Sequence, residues 1–384
     1  MALRGQWILS ARTIGFLLTI SLLVAGCLST GRDRDTKVTI TPEDNRVGVR
    51  LDSPVKVSVS DGSTLTRVRV TTPDGRTVKG KLNSAKTGWT SLEALSPDTV
   101  YRVSVNATNP DGAPRHVTQT FSTMAPRRVL ATKITPEQGS RVGVGMPIVL
   151  SFDSPVTNKV DVEKRLDVET SVPIEGAWSW VGDSEIHYRP RTYWPPKTQV
   201  TVSAKLRGVD AGKGVWGTED LVRNFRIVDR SVVTKVDLVD HHARVYIDNK
   251  LARTIPVTGG MPGWETRNGT KVVLEKQEYL LFTNEAIGAP EEYELTSRWG
   301  LRLTWTGEFI HDASWSVGSH GYANVSHGCV GMNLENTEWL WKHSTVGDPV
   351  EVKSPDGDQM PVTGNGYGDW NVPWKAWKAG SALS

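Results

Sequence analysis

Apolar and polar residues alternate at a period of two over many short stretches of this chain. Residues 55–59, 66–70 and 200–204 place their larger apolar side chains on every second position. That period sets one face of an extended segment against a core and the other toward water. Turn signals such as Asp61-Gly62 and Pro73-Asp74-Gly75 break the stretches into short strands. From Ser231 onward, further strands are expected at 232–239, 243–248, 251–257, 271–275, 301–306 and 350–352. One helix stands out: Asn333 is placed to cap it, and Leu334, Thr337, Leu340 and Trp341 share one face of the turns that follow.

The first half of the chain repeats itself. Ile40-Thr41-Pro42-Glu43 recurs as Ile134-Thr135-Pro136-Glu137, Arg46-Val47-Gly48-Val49 as Arg141-Val142-Gly143-Val144, and Asp52-Ser53-Pro54-Val55 as Asp153-Ser154-Pro155-Val156. The interval is about one immunoglobulin-like domain, roughly 100 residues. The fold class is therefore mainly β. Two immunoglobulin-like β-sandwiches are expected at 37–124 and 125–229, then a β-rich domain with one short helix at 230–353. A C-terminal subdomain rich in Gly, Pro and Trp follows at 354–384. No cysteine pair is available to staple the sandwiches, so apolar cores around Trp89, Trp178 and Trp180 must hold them.

A length of 384 residues, 38% hydrophobic and 23% charged, fits a folded protein of several domains. The formal net charge of +3 is spread along the chain. Nucleic acid is not an expected partner, because it needs a concentrated basic face. The N-terminus changes the picture. Arg4 and Arg12 form a positive region ahead of an apolar run, 14–25, that is too short to span a bilayer. It ends in Leu23-Val24-Ala25-Gly26-Cys27, which resembles a bacterial lipobox. Residues 1–27 thus read as a lipoprotein signal peptide, Cys27 as the lipidated residue and 28–36 as a flexible tether. The expected location is extracytoplasmic, with the membrane as a partner through the lipid anchor.

If Cys27 is lipidated, the second of the two cysteines, Cys329, has no disulfide partner. Its neighbours give the thiol a use. Four of the 8 histidines, His311, His320, His327 and His343, crowd around Ser326-His327-Gly328-Cys329. A free thiol has a pKa of about 8.5 and is weakly ionised at neutral pH. A nearby imidazole can take its proton and leave a thiolate–imidazolium pair. On an extended segment His327 and Cys329 share a side. Gly328 leaves room for a carbonyl, and the N–H groups of Gly328 and Cys329 are natural oxyanion donors, each worth about 3 kcal/mol. Ser326 is expected to support the loop, and His320 and His343 to lie on the surface. His311, His327 and Cys329 also form a partial zinc set, but no fourth ligand has suitable spacing, so no metal is expected.

Together with the upstream Phe309-Ile310-His311-Asp312-Ala313-Ser314-Trp315, the motif resembles the catalytic signature of the L,D-transpeptidase (YkuD-like) family. The sandwiches and the tail Gly368-Asp369-Trp370-Asn371-Val372-Pro373-Trp374 resemble the mycobacterial type. The resemblance implies a YkuD-like catalytic domain with Cys329 as nucleophile and His311 as base. It also implies that the backbone carbonyl of Asp312 orients His311; on a strand the Asp312 carboxylate faces the other way. Tyr293, Trp315, Ser326 and Asn333 fall on the substrate side. The implied partners are peptidoglycan tetrapeptide stems, as donor and acceptor of 3→3 cross-links, and carbapenems that acylate Cys329. No cofactor is implied, and the enzyme would face the cell wall. One departure is plain: the family usually has Asn or Arg two residues after the nucleophile, and this chain has Gly331. Asn333 is the candidate to compensate, and Gly331→Asn is expected to be tolerated unless Gly331 needs a positive φ. Two other readings stay open: an L,D-carboxypeptidase that hydrolyses the same acyl-enzyme, and a wall-binding protein with a decayed site.

Overall fold

The computed structural model describes residues 36–384 except 289 and 291. The expected signal peptide, Cys27 and tether residues 28–35 lie outside them. Each repeat copy forms a sandwich. In the first, strands Val38–Thr41, Lys56–Val59, Gly88–Ser91 and Gly80–Leu82 face a sheet of Arg46–Val49, Pro114–Thr123, Val100–Thr108 and Thr64–Thr71. In the second, Thr132–Thr135, Ile148–Phe152, Glu185–Pro190 and Gly176–Val181 face Arg141–Val142, Asp220–Ile227, Gln199–Lys205 and Leu166–Thr170. The alternation explains the burial. Along Val100–Thr108 every second side chain, Tyr101, Val103, Val105 and Ala107, enters the core. Trp89 is buried in the first core, and Trp178 and Trp180 flank the second. The largest side chain at the centre of the second is Trp194, which the pattern did not single out.

The third domain packs two sheets. One runs in the order Lys250–Pro256, His242–Ile247, Val232–Asp237, Pro349–Lys353, Gly269–Val272. The other runs Glu275–Thr283, Glu294–Arg302, Phe309–Asp312, Val330–Met332. Val236, Val245, Ile255, Leu301, Ile310, Val330 and Met332 fill the space between them. Helix Leu334–His343 starts at Asn333, whose Oδ1 accepts from Asn336 N–H at 2.9 Å. The expected strand at 301–306 is corrected: its strand ends at Arg302 and residues 303–308 turn. The long hairpin Glu275–Thr283/Glu294–Arg302 was mostly missed. Its apolar run breaks period two because Tyr279 and Leu281 are exposed rather than buried.

The second sandwich and the catalytic domain are joined closely. Gly143 N–H donates to Val346 O at 2.8 Å and Gly145 N–H to Gly347 O at 2.9 Å. A Cβ on Gly143 would stand 2.3 Å from Asp348 N, so this approach admits only glycine. The tail then returns over the second sandwich. The Arg189 guanidinium lies 4.9, 5.3 and 4.7 Å from the rings of Trp370, Trp374 and Trp377. His187 Nδ1 meets Asp369 Oδ1 at 2.6 Å, with both groups buried.

Candidate active site

Strands Phe309–Asp312 and Val330–Met332 run parallel, with His311 in register with Gly331. Period two then brings Phe309, His311, Cys329 and Gly331 to one face. All four line a groove of about 550 Å³. Tyr293, Trp315, Ser326 and His327 line it too. A second cavity, about 680 Å³, lies against His327 and Gly328 and is lined by Trp264, Glu265, Arg267, Asp356 and Asp358. His327, Trp305, Thr306 and Gly307 wall both.

His311 is 5% exposed. Its Nδ1 donates to the backbone carbonyl of Asp312 at 2.7 Å, which fixes the tautomer and leaves Nε2 as the basic nitrogen. Ser297 Oγ donates to the same carbonyl at 2.7 Å. The Asp312 carboxylate turns elsewhere and accepts from Ser314 N at 3.1 Å and Ser314 Oγ at 2.5 Å. Trp315 stacks on the imidazole at 5.7 Å, and Phe282, from the hairpin, lies 4.5 Å away. His327 is held between Tyr293, stacked at 5.6 Å, and the edge of Trp264 at 5.0 Å.

Burial pushes the Cys329 thiol up to about 12, against the opposing Phe309 backbone hydrogen bond. Burial also pulls His311 down to about 4, although its bond to Asp312 opposes this. Cys329 keeps partial access to the groove. Burial thus works against the expected thiolate–imidazolium pair, because each ion would lose hydration in the groove. The thiol donates to Gly307 O at 3.4 Å.

The loop before the thiol is closed by Ser326, whose Oγ donates to Cys329 O at 2.6 Å and accepts from Gly328 N–H at 3.2 Å. That Gly328 donor is therefore committed in this state. Gly328 itself has φ +111°, a conformation natural to glycine. Asn333 does not line the groove; its side chain caps the helix. His320 is not a surface residue but 6% exposed, and burial lowers its pKa. Its Nε2 lies 3.4 Å from Ser316 Oγ and 3.8 Å from where a Cβ on Gly331 would stand. Gly331 has no positive φ. A Cβ there would meet Ala313 Cβ and Thr258 Cγ2, each at 2.8 Å, so the expected tolerance of Gly331→Asn is corrected on steric grounds. Ser297, Phe282, Trp264 and Trp305 were missed. Only the abundance of tryptophan hinted at two of them.

Comparison with known proteins agrees with this geometry. Residues 231–352 match the L,D-transpeptidase catalytic domain (YkuD), and residues 46–210 a bacterial Ig domain. L,D-transpeptidase 2 of Mycobacterium tuberculosis is 32% identical over 350 residues, covering 90% of this chain and 85% of that protein. L,D-transpeptidase 5 of Mycobacterium tuberculosis is 35% identical over 354 residues, covering 90% and 77%. The solved structure of L,D-transpeptidase LdtMt1 in complex with imipenem matches 59% of this chain and 100% of its own, at 32% identity and a TM-score of 0.51. Two relatives of this identity, spanning most of both chains, together with the catalytic-domain match, establish that the chain belongs to the L,D-transpeptidase family.

Proposed function

We propose that this protein forms 3→3 cross-links between peptidoglycan stems through a thioester on Cys329. The observation that carries the reading is a thiol and an imidazole lining one groove, with the imidazole tautomer set by the Asp312 carbonyl. Cys329 Sγ attacks the carbonyl of the third residue of a donor tetrapeptide, and His311 Nε2 takes the thiol proton. The proton passes to the amine of the departing D-alanine as the C–N bond breaks, leaving a thioester. The side-chain amine of a second stem then attacks, loses a proton to His311 and releases the thiol as an amide forms. A reaction of two bulky substrates suits two cavities that meet at His327. By similarity to LdtMt1, which binds imipenem, Cys329 is the residue that carbapenems acylate.

The lipobox-like ending at Cys27 supports a location on the outer face of the cell membrane, with the sandwiches spacing the groove toward the wall. Incubation with disaccharide-tetrapeptide, followed by mass spectrometry, yields cross-linked dimer. Cys329→Ser yields none and keeps its fold, because a hydroxyl is a far poorer nucleophile here. Tripeptide without dimer would make the protein a carboxypeptidase, and dimer formed by Cys329→Ser would refute the nucleophile.

A further inference from the structure

Lys271, in strand Gly269–Val272, has no solvent exposure. Its Nζ donates to Glu308 Oε2 at 2.6 Å. The other carboxylate oxygen, Oε1, accepts from the Arg267 backbone N–H at 3.0 Å and from Arg267 Nη1 at 3.1 Å. Glu308 is 5% exposed. Burying ions strips their hydration, and apolar residues of equal volume often stabilise a core as well or better. Stability alone therefore gives this cluster little reason to exist. Its place beside the nucleophile does. Glu308 follows Gly307, whose carbonyl accepts the Cys329 thiol. The turn is closed by Leu303 N–H on Glu308 O at 2.8 Å and by Glu308 N–H on Thr304 Oγ1 at 2.9 Å. Anchoring the carboxylate thus anchors the carbonyl. Glu308 Cγ also lies 3.9 Å from where a Cβ on Gly328 would stand, directly against the nucleophile loop.

We propose that Lys271, Glu308 and Arg267 form a positioning cluster for the nucleophile: Glu308 holds the turn that parks the thiol, and the two cations bound to it offset the carboxylate charge that would otherwise oppose the thiolate during attack. The cluster rests on the reading of Cys329 as the nucleophile. The charged and titratable groups around the thiol are Lys271 and Glu308, Arg302 on the hairpin, Arg267 behind Glu308, His311 on the neighbouring strand and His327 on its own loop. Among these charges Glu308 acts most strongly and opposes ionisation of Cys329, whereas Lys271 and Arg302 ease it. Arg302 is partly neutralised by Glu275, bound to its Nε at 2.9 Å, which leaves Lys271 and Arg267 as the cations specific to the cluster.

The test is iodoacetamide alkylation of Cys329 in the full-length protein across pH. It is followed on the Cys329 peptide by mass spectrometry, so that Cys27 does not contribute. Lys271→Met moves the rate profile to higher pH and Glu308→Gln moves it to lower pH, each on the order of one unit. Damage to packing would move both the same way, so opposite shifts are the signature. Arg267, whose side chain keeps 35% exposure, tolerates substitution best. Arg267→Gln shifts the profile upward by less, and it decides the matter if the buried variants unfold. Shifts of one sign in folded variants, or an unmoved profile in Arg267→Gln, overturn the proposal. Carbapenem acylation of the unsubstituted protein is measured alongside. Its absence would count against Cys329 as nucleophile, whereas normal acylation with unmoved alkylation would count against the cluster alone.

Discussion

His311 has one nitrogen spent and one available, and the spent one is held by a main-chain carbonyl that no side-chain change removes. Asp312→Ala therefore keeps most carbapenem acylation, while His311→Gln loses on the order of 10²–10⁴-fold. An equal loss in folded Asp312→Asn would restore a side-chain triad. The lowered pKa has two further consequences. A base near 4 stays unprotonated down to that pH, so the acid limb of acylation falls near 4 rather than near 6.5. The buried neutral ring also contributes stability that is present above 6.5 and lost as pH falls through about 4. The melting temperature then drops across that window in the unsubstituted protein and less in His311→Gln. At this scale the motif made Cys329, His311 and His327 visible in the sequence. Ser297 was not, because a lone serine carries no pattern. His320 was misread because its burial comes from the fold around Gly331 rather than from its own loop.

Strand Val330–Met332 is squeezed between Ala313 and Thr258, and Gly331 is the residue that lets it through. Gly331→Asn forces those neighbours apart and costs about 1–3 kcal/mol. Adding Ala313→Gly recovers part of the loss. Thermal melts of the two variants check this, and an unchanged melting temperature in Gly331→Asn would show that the strand gives way freely. Elements with a regular period were readable. The strands of the five-stranded sheet and the capped helix fell near their expected places: Val232–Asp237 and His242–Ile247 bury every second side chain, and the helix buries Thr337 and Leu340, although Leu334 on its expected apolar face is exposed. The hairpin Glu275–Arg302 was not, since its side chains serve the groove as well as the core. A strand that presents Tyr279, Leu281 and Phe282 to a groove loses the in–out rhythm on which the reading depends.

The repeat announced two sandwiches, and the tryptophans announced a tail that packs, but nothing in the chain's pattern named what the tail packs on. It covers His187 and Arg189, and this contact governs behaviour at alkaline pH. Burial alone would lower His187, yet Asp369 and Glu185 outweigh it and raise the group to about 9. That stabilisation is complete below 6.5 and is lost as pH rises through about 9. Differential scanning calorimetry between pH 7 and 10 then shows a falling melting temperature, and His187→Asn flattens the fall. Trp377, 1% exposed, carries the apolar share of the same contact, and Trp377→Ala costs about 3–5 kcal/mol. The contact also bears on the order in which the molecule is made. His187 and Asp369 are separated by 182 positions, with the catalytic domain between them. The second sandwich is begun early in translation but receives its cover only after the entire enzyme domain has been synthesised. A chain halted after the second sandwich but before residue 369 would leave that histidine and arginine without the tail, so the closing of this face records that the catalytic domain has been completed.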